Sequence, residues 1–234
     1  MEYIYGKNTI MSFLEANLLK EVYLLSTFQD NKIIEKLKNS KIKISYKSPH
    51  FLDEICKTNK HQGIVGIIQN YTYYTLNDLI EDGKLLKKPV ILMLDGIEDP
   101  HNFGAIIRTC DALGVNGIII GKHNSCPLNS TVAKVSTGAI ANIKIAEVTN
   151  LTQAIKTLKE NNYWIVEAEA FQGRPYYEIE YNMPTVLVVG SEGFGISTLV
   201  KKQSDFNVYI PMTGKVNSLN VSVATAILLA QIVR

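Results

Sequence analysis

The chain has 234 residues, 46% of them apolar and 20% charged, with 24 basic and 22 acidic side chains. These proportions are those of a globular protein and exclude a disordered polyelectrolyte. Apolar runs are too short to span a bilayer, the start at Met1 to Lys7 has no secretory pattern, and a net charge of +2 excludes a histone-like binder without excluding a local basic patch.

Charge is unevenly spread. Residues 1–72 carry 10 Lys and 7 acids, a net of +3, and the remainder carries −1. Helix and strand signals alternate through this basic front third. Asn8 to Leu18 predicts a helix, Glu21 to Leu25 a strand, Asp30 to Leu37 an amphipathic helix and Lys43 to Tyr46 a strand. Ser48-Pro49 opens another helix and Gly63 to Gln69 another strand, which makes residues 1–70 a small α/β domain. The polar stretch 71–88 reads as a linker with one short helix, Leu76 to Ile80.

A second α/β alternation fills residues 89–234. Its strands are expected at Val90–Leu94, Gly117–Ile120, Ile143–Glu147, Trp164–Ala168, Val186–Val189 and Val208–Ile210. Its helices are expected at Phe103–Leu113, Thr131–Gly138, Leu151–Lys159, Ser197–Gln203 and Ser218–Ile232. Several strands are unbroken Val/Ile/Leu runs, as in a doubly wound parallel sheet covered on both faces. Cys56, Cys110 and Cys126 form neither a disulfide framework nor a zinc pattern, which points to the cytoplasm and to no metal. Cys110 lies in an apolar helical stripe and reads as a buried core residue.

Ligands of such sheets bind beyond the carboxyl ends of the strands, and three polar segments stand there. The first runs from Asp95 to Cys110 and contains Asp99-Pro100-His101-Asn102-Phe103-Gly104 and Arg108. Asn102 is placed to cap the following helix. Arg108 is either a surface arginine or a ligand for an anion, to which its planar fork is suited. The second, Gly190-Ser191-Glu192-Gly193-Phe194-Gly195, is a glycine-rich loop with one carboxylate. Its spacing matches neither the dinucleotide fingerprint nor a P-loop, which disfavours a nicotinamide-dependent oxidoreductase. The third runs from Ile210-Pro211-Met212 through Ser218-Leu219-Asn220-Val221-Ser222 into an apolar helix. Ser218 reads as a possible N-cap, whereas Asn220, a poor helix former, needs hydrogen-bond partners.

Taken together and in this order, the three segments resemble the motifs of the SpoU (TrmH) family in the SPOUT superfamily, S-adenosyl-L-methionine-dependent RNA ribose 2′-O-methyltransferases. The front domain, through Gly6-Lys7-Asn8 and His61-Gln62-Gly63-Ile64, resembles that family's RNA substrate-binding domain. The resemblance implies a Rossmann-like sheet with a C-terminal trefoil knot and a homodimer. It assigns catalysis to Asn102, Arg108, Glu192, Ser218 and Asn220, and cofactor binding to Thr137, Gly138, Gly190, Gly193, Ile210 and Leu219. Lys7, Asn8 and Gln62 are the expected RNA contacts. Because a guanidinium stays protonated, Arg108 is expected to bind an RNA phosphate and orient the 2′-oxygen. The combination is most similar to members that modify a guanosine of 23S rRNA. The other readings are a tRNA 2′-O-methyltransferase and a non-catalytic ribosome-assembly factor.

Overall fold

The structure, a computed structural model, describes residues 3–15, 17–68, 71–170 and 172–234. The expected strand end at Gln69 lies outside them. The chain forms two compact units, one of residues 1–72 with 128–142, the other of residues 73–127 with 143–234.

In the first unit, β1 (Tyr3–Tyr5), α1 (Lys7–Glu15), β2 (Leu19–Leu25), α2 (Asn31–Asn39), β3 (Lys43–Lys47), α3 (Pro49–Cys56) and β4 (Ile64–Ile68) follow one another. Among the described residues they make a four-stranded sheet ordered β1-β4-β2-β3, with β4 antiparallel to both its neighbours. Strand β1 is too short for its alternation to show in the sequence. Helix starts follow local chemistry. The Asp30 side chain accepts from Ile33 N at the start of α2, and Ser48 does the same for Phe51 N, with Pro49 at the first helical position. Their inward faces bury Ile33, Leu37 and Leu52.

The remaining elements are α4 (Leu76–Gly83), β5 (Val90–Asp95), α5 (Pro100–Leu113), β6 (Gly117–Gly121), α6 (Ser130–Val135), β7 (Ile145–Val148), α7 (Leu151–Glu160), β8 (Trp164–Glu169), β9 (Arg174–Pro175), β10 (Thr185–Gly190), α8 (Thr198–Lys201), β11 (Phe206–Tyr209) and α9 (Val221–Ile232). Of these, α6 belongs to the first unit. The second unit holds, among the described residues, a seven-stranded sheet ordered β7-β6-β5-β10-β8-β11-β9, parallel at every pairing. Its order puts the topological switch between β5 and β10. The chain steps outward from β5 through β6 to β7, then returns to build β8, β10 and β11 on the other side.

The stretch 71–88 is not a linker. Tyr74 N donates to Ile145 O at 2.9 Å, and α4 opens on a reciprocal cap in which Thr75 Oγ1 accepts from Asp78 N and Asp78 Oδ2 accepts from Thr75 N. Leu79 and Ile80 then enter the main core with Ile91, Met93 and Ile119. The polar composition of α4 belongs to its solvent face, which hides its short apolar stripe. Cys110 is fully buried, and burial pushes its thiol pKa up. Glu167, 2% exposed on β8, accepts from Ser204 Oγ at 3.0 Å, and burial raises its carboxyl pKa above the usual range. No helix among the described residues is long and apolar enough to cross a membrane.

Candidate active site

The site is built from the ends of β5 and β10 and the start of α9. Strand β5 places Asp95 opposite Gly190 of β10 in parallel register. Asp95 Oδ2 accepts from Ser197 N at 2.8 Å, which ties together the loops leaving the two strands. The cap of α5 is Asp99, whose side chain accepts from Asn102 N at 2.9 Å, with Pro100 following. Asn102 is therefore inside the first turn, not at the cap, and its amide is free for other partners. At the last helix the cap is Asn220, not Ser218. Asn220 Oδ1 accepts from Ser222 N at 3.0 Å and Val223 N at 3.4 Å, so α9 begins at Val221. Ser218 sits in exposed coil just before it.

These starts aim three side chains at one point. Glu192 Oε1 accepts from Asn220 Nδ2 at 2.8 Å, from Val221 N at 3.2 Å and, more weakly, from Asn102 Nδ2 at 3.4 Å. Asn220 Nδ2 also donates to Asn102 Oδ1 at 2.8 Å. Each sequence motif thus contributes one member of a single polar cluster. Asn220 serves twice, with its oxygen closing the helix end and its nitrogen holding the other two side chains. The carboxylate faces the N-terminus of α9, where the helix dipole favours negative charge.

Beside the cluster lies a cleft of about 370 Å³ lined by Gly190, Glu192, Gly193, Ile210, Ser218 and Leu219, together with Tyr209, Met212 and Leu228. The third motif therefore runs alongside the glycine-rich loop. Gly190 is required by close approach, because a Cβ there would lie 2.1 Å from the carbonyl carbon of Gly195. A Lys201–Glu169 ion pair stands in the cleft wall. On the other side of the glycine-rich loop a second cleft, of about 580 Å³, is lined by Asp95, Glu98, Asp99, Asn102 and Glu192. Its carboxylates oppose phosphate binding, so a phosphate contact has to come from elsewhere.

The structure does not bring every expected residue to this point. Arg108 is on the exposed side of α5, about 240° around the helix from Asn102, and none of the described hydrogen bonds or ion pairs engages it. Thr137 and Gly138 belong to the first unit, where a Cβ on Gly138 would meet Ser12 Cβ at 3.5 Å. The front-domain candidates are partly committed to local structure. Lys7 Nζ pairs with Asp30 at 2.9 Å and lies 5.3 Å from the centre of the Phe28 ring. Gln62 Oε1 accepts from Lys7 N at 2.9 Å. His61 is buried, with Nδ1 accepting from Gly63 N at 3.0 Å and Nε2 3.1 Å from Asp53. Asn8 alone of the three RNA candidates is exposed and unengaged by the described contacts.

Sequence reasoning missed Asp95, Asp99, Ser191 and Tyr209 as parts of the site. The Asp99-Pro100 pair carries its own helix-start signal and identifies the cap without a structure. Asp95 and Tyr209 have no such local signature, because their roles arise only when strands distant in sequence are aligned. No group of three or more His, Cys, Asp or Glu side chains that could hold a metal occurs among the described residues.

The profile of the SpoU rRNA Methylase family matches residues 89–230, and that of the RNA 2′-O ribose methyltransferase substrate-binding domain matches residues 3–74. A Staphylococcus saprophyticus protein assigned to the TrmH family of tRNA/rRNA methyltransferases is 41% identical, covering 99% of this chain and 94% of its own. Bacillus subtilis YacO, assigned to the same family, is 39% identical over 100% of this chain and 95% of its own. Among solved structures, the SpoU methyltransferase AviRb of Streptomyces viridochromogenes, in complex with AdoMet, superposes with a TM-score of 0.82 at 20% identity. It covers 99% of this chain and 88% of that one. An AdoMet-bound rRNA methyltransferase of Sinorhizobium meliloti gives 0.82 at 24% identity, with 99% and 86% covered. The fold is accordingly the SPOUT α/β-knot fold behind an N-terminal α/β domain. With full-length relatives and both domain profiles in agreement, the chain belongs to the SpoU/TrmH family of RNA methyltransferases.

Proposed function

We propose that this protein transfers the methyl group of S-adenosyl-L-methionine to a ribose 2′-hydroxyl of structured RNA, with a guanosine of 23S rRNA as the target. The observation that carries the reading is the Asn102–Glu192–Asn220 cluster, set beside a cleft walled by Gly190, Ile210 and Leu219. The cleft suits the cofactor. It combines apolar walls with exposed backbone where Gly190 lets the loop fold tightly back, and it has the Lys201–Glu169 pair for polar groups. When bound, the cofactor supplies an electrophilic methyl group on a sulfonium, so no metal is called for.

The chain's own residues then have to bind, orient and accept a proton. Asn102 and Asn220 are held by Glu192 in one arrangement, so the cost of ordering them is met on folding and not on substrate binding. Their amides, with Ser218 at the cleft edge, hold the ribose. Arg108, exposed and unengaged but turned away from Asn102 on α5, takes an RNA phosphate outside the polar cluster, and the hydroxyl proton leaves to phosphate or water. The front unit contacts a structured RNA loop, with Asn8 available and Lys7 and Gln62 acting through the turn they stabilise.

The active form is a homodimer in the cytoplasm. On α9, Val223 and Ala230 are exposed and Ile227 is half-buried, which makes an apolar stripe at helical spacing, and Val223 is 48% exposed. The intact polar cluster disfavours a non-catalytic assembly factor.

The deciding experiment maps 2′-O-methyl marks across rRNA and tRNA from cells with and without the gene. Loss of one guanosine mark in 23S rRNA, restored by the wild-type chain and not by Asn220→Ala, is the expected result. Loss of a tRNA mark instead overturns the rRNA assignment, and no lost mark overturns ribose methylation.

A further inference from the structure

Phe194 is 98% exposed, the most exposed of the large apolar side chains the structure describes. Its setting is unusual for a stray surface residue. It stands between Gly193 and Gly195, at both of which an added Cβ would meet nothing within 4 Å, so the tip of the loop projects into open space. The backbone beneath it is nevertheless fixed. Phe194 N donates to Ser191 Oγ at 3.2 Å, Gly195 N donates to Ser191 O at 2.9 Å, and Ser191 and Gly195 form a β-bridge. Two residues before it, Glu192 is bonded into the polar cluster. The ring is therefore held out on a rigid turn registered to the active site. It borders both clefts, the mixed one beside Ile210 and Leu219 and the acidic one beside Asp95 and Asn102.

We propose that Phe194 is a stacking platform for an unpaired nucleobase of the RNA at the methylated nucleotide, and so a positioning residue for the reaction. The proposal rests on the family's RNA methyltransferase activity and on the placement of the ribose by Asn102 and Asn220. The proposed target is a structured RNA loop, and an unpaired base of such a loop needs a face to lie against. Exposed aromatic rings supply that face with little regard to base identity. No positive charge stands among the side chains lining the acidic cleft. Stacking on a neutral ring holds a base there without drawing in phosphate.

The test uses the full chain and ribosomal RNA purified from cells lacking the gene. Phe194→Ala is expected to lower kcat/KM for RNA on the order of ten-fold or more, while Phe194→Tyr and Phe194→Trp stay near the wild-type value. Binding of S-adenosylhomocysteine, followed by calorimetry, is expected to be the same in all four. A direct readout comes from Phe194→Trp in a Trp164→Phe background, which leaves one indole in the chain. Its fluorescence is expected to be quenched by the RNA and not by S-adenosylhomocysteine. Unchanged kcat/KM in Phe194→Ala, weakened S-adenosylhomocysteine binding, or an indole that RNA does not quench overturns the proposal. Absence of methyl transfer by the wild-type chain overturns the functional reading instead, while the quenching measurement reports on the ring by itself.

Discussion

Asn220 donates through Nδ2 to Oδ1 of Asn102 at 2.8 Å, a bond between residues 118 positions apart. It joins the start of the last helix to the first turn of the helix after β5, and Glu192 locks both amides in place. The active geometry is therefore a property of the finished fold. None of the three motifs can adopt it alone.

The double duty of Asn220 can be separated by substitution. Asn220→Ser keeps an oxygen to cap α9 and loses the nitrogen that reaches Asn102 and Glu192 without placing a second carboxylate beside Glu192. Methyl transfer is expected to fall on the order of a hundred-fold, with thermal stability changed little. Asn220→Ala loses the cap as well and costs about 1 kcal/mol more in unfolding free energy. Steady-state kinetics and denaturant melts read the two effects independently. Equal activity in Asn220→Ser and wild type would remove the residue from the site.

Arg108 has no partner to lose among the described contacts. Arg108→Lys is expected to leave stability within about 0.5 kcal/mol and S-adenosylhomocysteine affinity unchanged. The planar fork is not reproduced by an ammonium, so turnover is expected to fall on the order of ten-fold or more. Near-normal kcat with only a raised KM for RNA would limit the arginine to a binding role.

Gly190 tests the tight fold of the glycine-rich loop that walls the cleft and carries Glu192. A methyl group at this position would lie 2.1 Å from backbone of Gly195, which cannot move without opening the loop. Gly190→Ala is expected to destabilise the protein by about 1–3 kcal/mol and to weaken S-adenosylhomocysteine binding in a calorimeter. Full retention of both would place the cofactor elsewhere.

Glu167 makes a prediction about pH. Burial raises its folded-state pKa above the unfolded value near 4.5. Between the two values the folded state holds the extra proton, so its stabilising effect is present at low pH and is lost as pH rises through the folded pKa. Glu167→Gln is expected to remove this loss, leaving the variant's stability flatter than wild type from about pH 4.5 upward. Parallel slopes in urea titrations across that window would show that the carboxylate is not carrying the effect.

The apolar stripe on α9 predicts the assembly state. Ile227→Glu is expected to shift the sedimentation coefficient from that of a dimer to that of a monomer, with far-UV circular dichroism unchanged. A wild-type chain that sediments as a monomer would overturn the homodimer.

Much of this was legible in the residues. The runs at Val90 and Val186 are apolar throughout because both sheet faces are covered, and their ends located the motifs. Asn102, Glu192 and Asn220 stand out as polar residues beside strand or helix ends, and it is the family resemblance that assigns them to one site. What escaped was of two kinds. Some errors were local: Asp99, not Asn102, and Asn220, not Ser218, cap their helices, and α4 hid its buried Leu79, Ile80 and Gly83 in a polar stretch. Others depended on tertiary contacts. The sequence alone does not show that residues 128–142, which carry Thr137 and Gly138, pack with the front domain.

That last grouping has a consequence for biogenesis. The first unit includes residues 128–142, which leave the ribosome only after β5, α5 and β6 have been made, so its last contacts form late in synthesis. Ending translation after residue 72 would release a fragment lacking part of its own packing, exposed to proteases. The boundary between the two family profiles is thus not the boundary between the two compact units.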